Sequence, residues 1–266
     1  MAVRSIEKGE AAKDSIIKAT RCDPKAIEVW AMDLSSYDSV KAFAARADRE
    51  LERIDVLLEN AAVASVEWNW VLDNERMVTV NVVATFLLAF LLLPKLKATA
   101  SRFRTTPRLT FVTSDTHFLV DFAEKDAPEG IFARLNDEAK SRPTQSERYP
   151  TTKLMQVFVV PFAPVIINCT NPGLCKSELA RELDGLQVRA AKFLLARTAE
   201  EGSRNLIAGA VGGVDTHGQY LDMGKVTTPA TVIVGRGGAE AQKRLYVELV
   251  EKLEKIAPGV VSNLYS

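Results

Sequence analysis

Histidine and cysteine are scarce, two and three residues in a chain of 266. Cys22, Cys169 and Cys175 are too few and too scattered for a disulfide framework or a zinc site. No metal is expected, and a reducing, cytoplasmic setting is the simpler reading. Net charge is also lacking: 34 basic side chains balance 34 acidic ones, which leaves no electrostatic footprint for nucleic acid or an anionic membrane. The opening MAVRSIEKGEAAKDS carries charges where a secretory leader needs an apolar run. The longest apolar stretch, 78–94, is interrupted by Asn81 and ended by Pro94, short of the roughly 20 residues a bilayer span requires. It is expected as a buried helix rather than a membrane span. With 47% apolar and 26% charged residues, a mainly disordered chain is excluded. No internal repeat or low-complexity linker divides the sequence, so 1–266 is expected as one domain.

Two kinds of segment alternate along the chain. Strands are expected at 26–33, 54–60, 108–114, 165–170 and 219–223, from short apolar or β-branched runs ending in small or polar residues. Helices are expected from Ser35-Ser36 to about 52, at 69–98, 149–160 and 186–210, and at 239–256 with Leu245, Leu249, Leu253 and Ile256 on one face. Strands separated by helices, with few hairpin signals, imply crossover connections and a doubly wound α/β fold around a parallel sheet.

In such sheets ligands bind beyond the carboxyl ends of the strands. Asp33, Asn60-Ala61-Ala62, Ser114 and Asn171-Pro172-Gly173 stand there, a pattern that suits a nucleotide lying across the sheet edge. Taken singly, each is more simply turn chemistry. Tyr149 and Lys153 are four apart and share a helix face. An ammonium group beside a phenol favours the phenolate and brings its pKa toward the working range, while a serine at a neighbouring strand end could hold a carbonyl oxygen. Tyr37 and Lys41 repeat the spacing without a serine-ended strand before them, and are expected to form a solvated i,i+4 contact. His117 is expected as a loop side chain, Cys169 as buried and inert, and Trp68 and Trp70 as packing residues or the roof of a pocket.

In this order the residues resemble the short-chain dehydrogenase/reductase family, over essentially the whole chain. The resemblance implies a Rossmann-like fold and an NADP-dependent oxidoreductase interconverting a carbonyl and an alcohol on an apolar small molecule. Asp33-Leu34 is similar to the strand-end pair that contacts adenine, and Glu59-Asn60-Ala61-Ala62 to the Asn-Asn-Ala-Gly turn beneath the cofactor. Asn81 is similar to the helix asparagine that holds a proton-relay water. Ser114 corresponds to the carbonyl-orienting hydroxyl, Tyr149 to the acid/base, and Lys153 to its partner, which also reaches the nicotinamide ribose. Pro172, Gly173, Cys175 and Ser177 lie in a segment similar to the Pro-Gly-x-x-x-Thr stretch around the nicotinamide amide. The opening Ala2-Val3-Arg4-Ser5 resembles the end of the second strand in the retinol-dehydrogenase-like branch, which implies that Arg4 pairs with a 2′-phosphate and favours NADP over NAD.

The same likeness makes 115–148 an insert at the substrate mouth and 213–238 the substrate lid. It implies pairing of copies through 69–98 and 149–160, the second abbreviated, and a role among reductases that tailor natural products. Three departures stand out. The glycine-rich turn that cradles pyrophosphate is absent, as if the first strand–turn–helix unit were missing, which should leave two strand edges unpaired. The connection from Lys153 to Pro161 and Pro164 is short, and Ala62 adds a methyl where glycine is usual. These departures leave a cofactor-deficient binding or scaffold protein as the alternative.

Overall fold

The computed structural model describes residues 1–158, 165–176, 179 and 196–265. Strand β1 (Ala2–Val3) pairs in parallel with β2 (Trp30–Ala31) across helix α1 (Ile6–Thr20). Ser5 starts α1 by accepting from the Lys8 N–H at 3.3 Å. Gly9 allows α1 to lie on the pair, since a Cβ there would stand 2.5 Å from a methyl of Val29. The expected strand at 26–33 is thus shorter, its first part taken by the 3₁₀ turn Pro24–Ala26. Ser36 then caps α2 (Tyr37–Glu50) through the Ser39 N–H.

A separate five-stranded sheet carries the core. Its first strand, β3 (Val56–Glu59), is followed in sequence by an antiparallel hairpin, β4 (Trp70–Val71) with β5 (Asn74–Glu75). Then come β6 (Arg108–Val112), β7 (Ile166–Asn171), β8 (Tyr220–Asp222) and β9 (Lys225–Thr227), in spatial order β3-β6-β7-β8-β9. All pairs are parallel except β8 with β9. That hairpin turns through Met223 and Gly224, both at positive φ. The doubly wound α/β expectation holds, with two additions: the hairpins, and the division into two sheets. Among the described residues no strand pairs with the outer edge of β3, and Val56 there is 41% exposed.

Helix α3 (Arg76–Phe103) runs through the interior. It is long and apolar enough to cross a membrane, but its most apolar window is 89% buried inside the protein. Phe86 packs on Phe111 of β6 with ring centroids 4.8 Å apart. Residues 70–75, expected as helix, form the β4–β5 hairpin instead, with Trp70 opposite Glu75, Val71 opposite Asn74, and Leu72 turning the chain in the left-handed region at φ 58°. Thr79–Ala84 widen into a π-helix. The insert folds as short turns, among them Asp115–Leu119 and Ile131–Asn136. Helix α4 (Arg148–Phe158) starts with a buried Arg148, ion-paired at 3.9 Å to Glu75 and 3.8 Å to Glu124, which ties it to α3 and the insert. Helices α5 (Ala199–Ala210) and α6 (Gly238–Ile256) complete the layers, with Leu245, Leu249 and Leu253 of α6 buried.

Candidate active site

The carboxyl ends of both sheets open into a cavity of about 520 Å³. Arg4, Asp33 and Leu34 line it from the two-stranded sheet; Asn60 and Ala61 line it from the loop after β3. Tyr149 and Lys153 enter from α4, and Pro172 and Cys175 from the segment after β7. Nine of the residues singled out in the sequence therefore share one cavity. Ser114 and Asn81 are not among the lining residues, though their chain neighbours Thr113 and Val80 are, and Gly173 occupies a turn at φ 75° with its N–H donated to Asn171. Ser177 lies outside the described residues.

Ser114 follows β6 and caps the turn Asp115–Leu119, accepting from the Thr116 N–H at 3.2 Å. Its hydroxyl donates to Asp115 Oδ1 at 3.2 Å. It stands beside the Tyr149 phenol and favours its ionised form. Burial outweighs that contact, and Asp115 adds to it, so the phenol is pushed up to about 12.

This differs from the expectation that Lys153 would bring the phenol down. Lys153 is buried with its Nζ 5.7 Å from the Tyr149 ring centre, and burial takes its own pKa down to about 7. Its Nζ donates to Val112 O at 2.7 Å and to Gln156 Oε1 at 3.1 Å. Desolvation acts on both partners, and it opposes the charge that the phenol would need beside it.

Asn81 differs from its expected part as well. Its side chain is committed to the Val63 backbone, accepting from the N–H and donating to the carbonyl at 2.9 Å each, and to Thr152 Oγ1 at 3.0 Å. Its own carbonyl accepts from Gln156 Nε2 at 2.6 Å.

His117, expected as a loop side chain, is fully buried. Its Nε2 accepts from the Ala230 N–H at 3.2 Å and its Nδ1 lies 2.7 Å from Ser114 O, which makes Nδ1 the protonated nitrogen. Burial lowers its pKa and keeps it neutral. It joins the serine-bearing turn to residues inside the expected lid. Tyr37 and Lys41 make no contact with each other of the kind expected: Tyr37 donates to Asp73 at 2.7 Å and Lys41 pairs with Asp38 at 2.8 Å. Cys169 is buried, with burial raising its thiol to about 12, as expected of an inert residue. Trp68 lies near Arg148, 6.0 Å from guanidinium to ring, and Trp70 is 55% exposed, so neither lines the cavity. Arg76, at the start of α3, lines the cavity, and no motif in the sequence marked it.

The donor set fits both ends of a dinucleotide. Arg4 and Arg76 bring guanidinium groups suited to phosphate, Met32 and Leu34 offer apolar surface for a base, and Tyr149 with Lys153 stands at the other end. A glycine-rich pyrophosphate turn is absent among the described residues.

Comparison with known proteins agrees with this geometry. The profile of the family described as short chain dehydrogenase matches residues 1–114. The chain is 45% identical to the short chain dehydrogenase/reductase dmxR8 of Cryptosporiopsis sp., over 99% of this chain and 84% of that protein. It is 39% identical to the short chain dehydrogenase atnD of Emericella nidulans, over 83% and 74% respectively. Among solved structures it is similar to the NADPH-bound carbonyl reductase from chicken fatty liver, with TM-score 0.57, 18% identity and coverage of 85% and 82%. It is also similar to a 7α-hydroxysteroid dehydrogenase complexed with NADH and a 7-oxo bile acid, with TM-score 0.55, 15% identity and coverage of 85% and 83%.

Proposed function

The chain belongs to the short-chain dehydrogenase/reductase family of oxidoreductases, and we propose that it reduces a carbonyl on an apolar small molecule with NADPH. The observation that carries this reading is that Tyr149 and Lys153 line one cavity at the carboxyl ends of the strands, with Ser114 beside the phenol. When bound, the nicotinamide supplies the hydride. The chain's residues govern the oxygen: Ser114 and Tyr149 hold it, and Tyr149 gives it a proton. A phenol raised to about 12 is fully protonated at neutral pH, which suits a proton donor and hence the reductive direction.

Arg4 and Arg76 support the preference for the 2′-phosphate of NADPH. Apolar substrates are supported by Phe118 and Leu119, 49% and 74% exposed on the turn that begins beside Ser114. A place in natural-product biosynthesis accords with that preference. The test is Tyr149→Phe, assayed with NADPH against a panel of apolar ketones and aldehydes. The variant should keep its circular dichroism and lose at least ~100-fold in kcat/KM. Turnover equal to that of the unaltered protein would reject the assignment.

A further inference from the structure

Gln156 lies one turn beyond Lys153 on α4 and is 1% exposed, a placement that usually selects an apolar residue. Both ends of its side-chain amide are used. The oxygen accepts from Lys153 Nζ at 3.1 Å, and the nitrogen donates to Asn81 O at 2.6 Å. Each contact has its natural polarity, so the amide orientation is determined by its surroundings: an inverted amide would set its N–H₂ against the lysine donor and its oxygen against a carbonyl. The lysine is held from a second side by Val112 O at 2.7 Å, and Asn81 is fixed by Val63 and Thr152. A buried chain therefore runs from β6 through Lys153 and Gln156 to the π-helical segment of α3.

We infer that Gln156 is a positioning residue for Lys153, a fixed amide that clamps the lysine between β6 and the Asn81 carbonyl. Lys153 is thus fixed in place from two sides, by Val112 O and by Gln156 Oε1. The inference rests on the proposed role of Lys153 for its catalytic meaning, but the clamp is a property of the folded chain alone.

The groups facing Lys153 decide how it should be tested. Beyond its two acceptors, it is influenced by the thiol of Cys169, itself kept protonated by burial, and it faces the ring of Tyr149. Gln156 is therefore a large share of the polar surroundings that favour its charged form. The experiment is an NMR titration of the full chain carrying ε-labelled lysine, with the Lys153 signal assigned by its loss in Lys153→Arg. Gln156→Met keeps the volume and removes the acceptor; the Lys153 midpoint should fall by about one pH unit. Gln156→Glu places a carboxylate there, and the midpoint should rise by at least about one unit. Melting temperature and near-ultraviolet circular dichroism identify a variant that has not folded, in which case the other variant decides. Midpoints within ~0.2 units of the unaltered protein in a folded variant would show that Gln156 only fills space. Because this readout needs neither cofactor nor substrate, a shifted titration in a protein without turnover would retain the clamp and reject only the enzymatic reading.

Discussion

Glu59 ends β3 beside Asn60, and its carboxyl is almost wholly removed from water at 5% exposure. One of its oxygens has no hydrogen-bond partner among the described residues, and burial pushes its pKa up to about 8. The folded protein therefore keeps a proton that the unfolded chain releases from about pH 4.5 upward, so the stability linked to this group is full below that point and is lost as pH rises toward about 8. Lys153 works in the opposite sense, since its lowered pKa makes the fold gain stability as pH rises above about 7. Glu59→Gln should remove the first effect and leave the second. Urea unfolding of both proteins should show the variant gaining on the unaltered chain as pH is raised from about 5 to about 8. Parallel pH curves would mean that the carboxyl is ionised in the fold. The sequence placed Glu59 at a strand end, next to Asn60-Ala61-Ala62, which line the cavity. It could not show the burial, which depends on how β3 packs. The same limit applies to His117, Arg76 and Gln156, whose partners lie far from them in sequence or mark no motif.

Helix α3 shows how one element can follow its apolar pattern and still break a local rule. The apolar run after Val78 foretold a buried helix, and the structure buries it. The helix was expected to pass Pro94 and run to about 98, although proline cannot donate to the carbonyl four residues earlier. It continues to Phe103. The carbonyl that Pro94 leaves unserved, on Phe90, accepts from Asn263 Nδ2 at 3.1 Å, and Lys97 one turn on reaches Asn263 O at 2.8 Å. A residue 173 positions away thus supplies what the helix lacks. No pattern local to 78–94 could reveal such a partner. Asn263→Ala should leave the Phe90 carbonyl unpaired and cost about 1–3 kcal/mol in chemical denaturation. Asn263→Asp, which retains acceptors but no donor, should fare no better. Stability unchanged in both variants would show that the helix tolerates the proline unaided.

At the scale of the whole molecule, the parallel sheet and its crossovers were legible from the alternation of strands and helices, and the cavity edge from the small and polar residues that end the strands. The division into two sheets was foreseen only as unpaired edges, and the β8–β9 hairpin was missed because Met223 takes a left-handed conformation that its side chain does not advertise. The division matters for function. β1 and β2 are two residues each, held by few bonds such as Trp30 N–H to Met1 O at 2.8 Å and Met32 N–H to Val3 O at 2.9 Å. β6 and β7 pair over five residues in register within the buried core. Local opening should therefore be cheapest in the small sheet, and its amides should exchange with deuterium well before those of β6 and β7. Arg4, Asp33 and Leu34 reach the cavity from that sheet, while Asn60 reaches it from the end of β3 in the large one and Tyr149 and Lys153 from α4. A dinucleotide touching both would bridge them. At a hundredfold excess over its Kd, NADPH should stabilise the fold by about 2.7 kcal/mol, raise Tm by roughly 5–10 °C, and slow exchange at Trp30 and Met32. NADH should do so less, and Arg4→Ala should narrow the difference between the two. A higher Tm with unslowed amides in the small sheet would confine the ligand to the side of Tyr149 and Lys153. No change in Tm at millimolar NADPH would remove the dinucleotide from the cavity altogether.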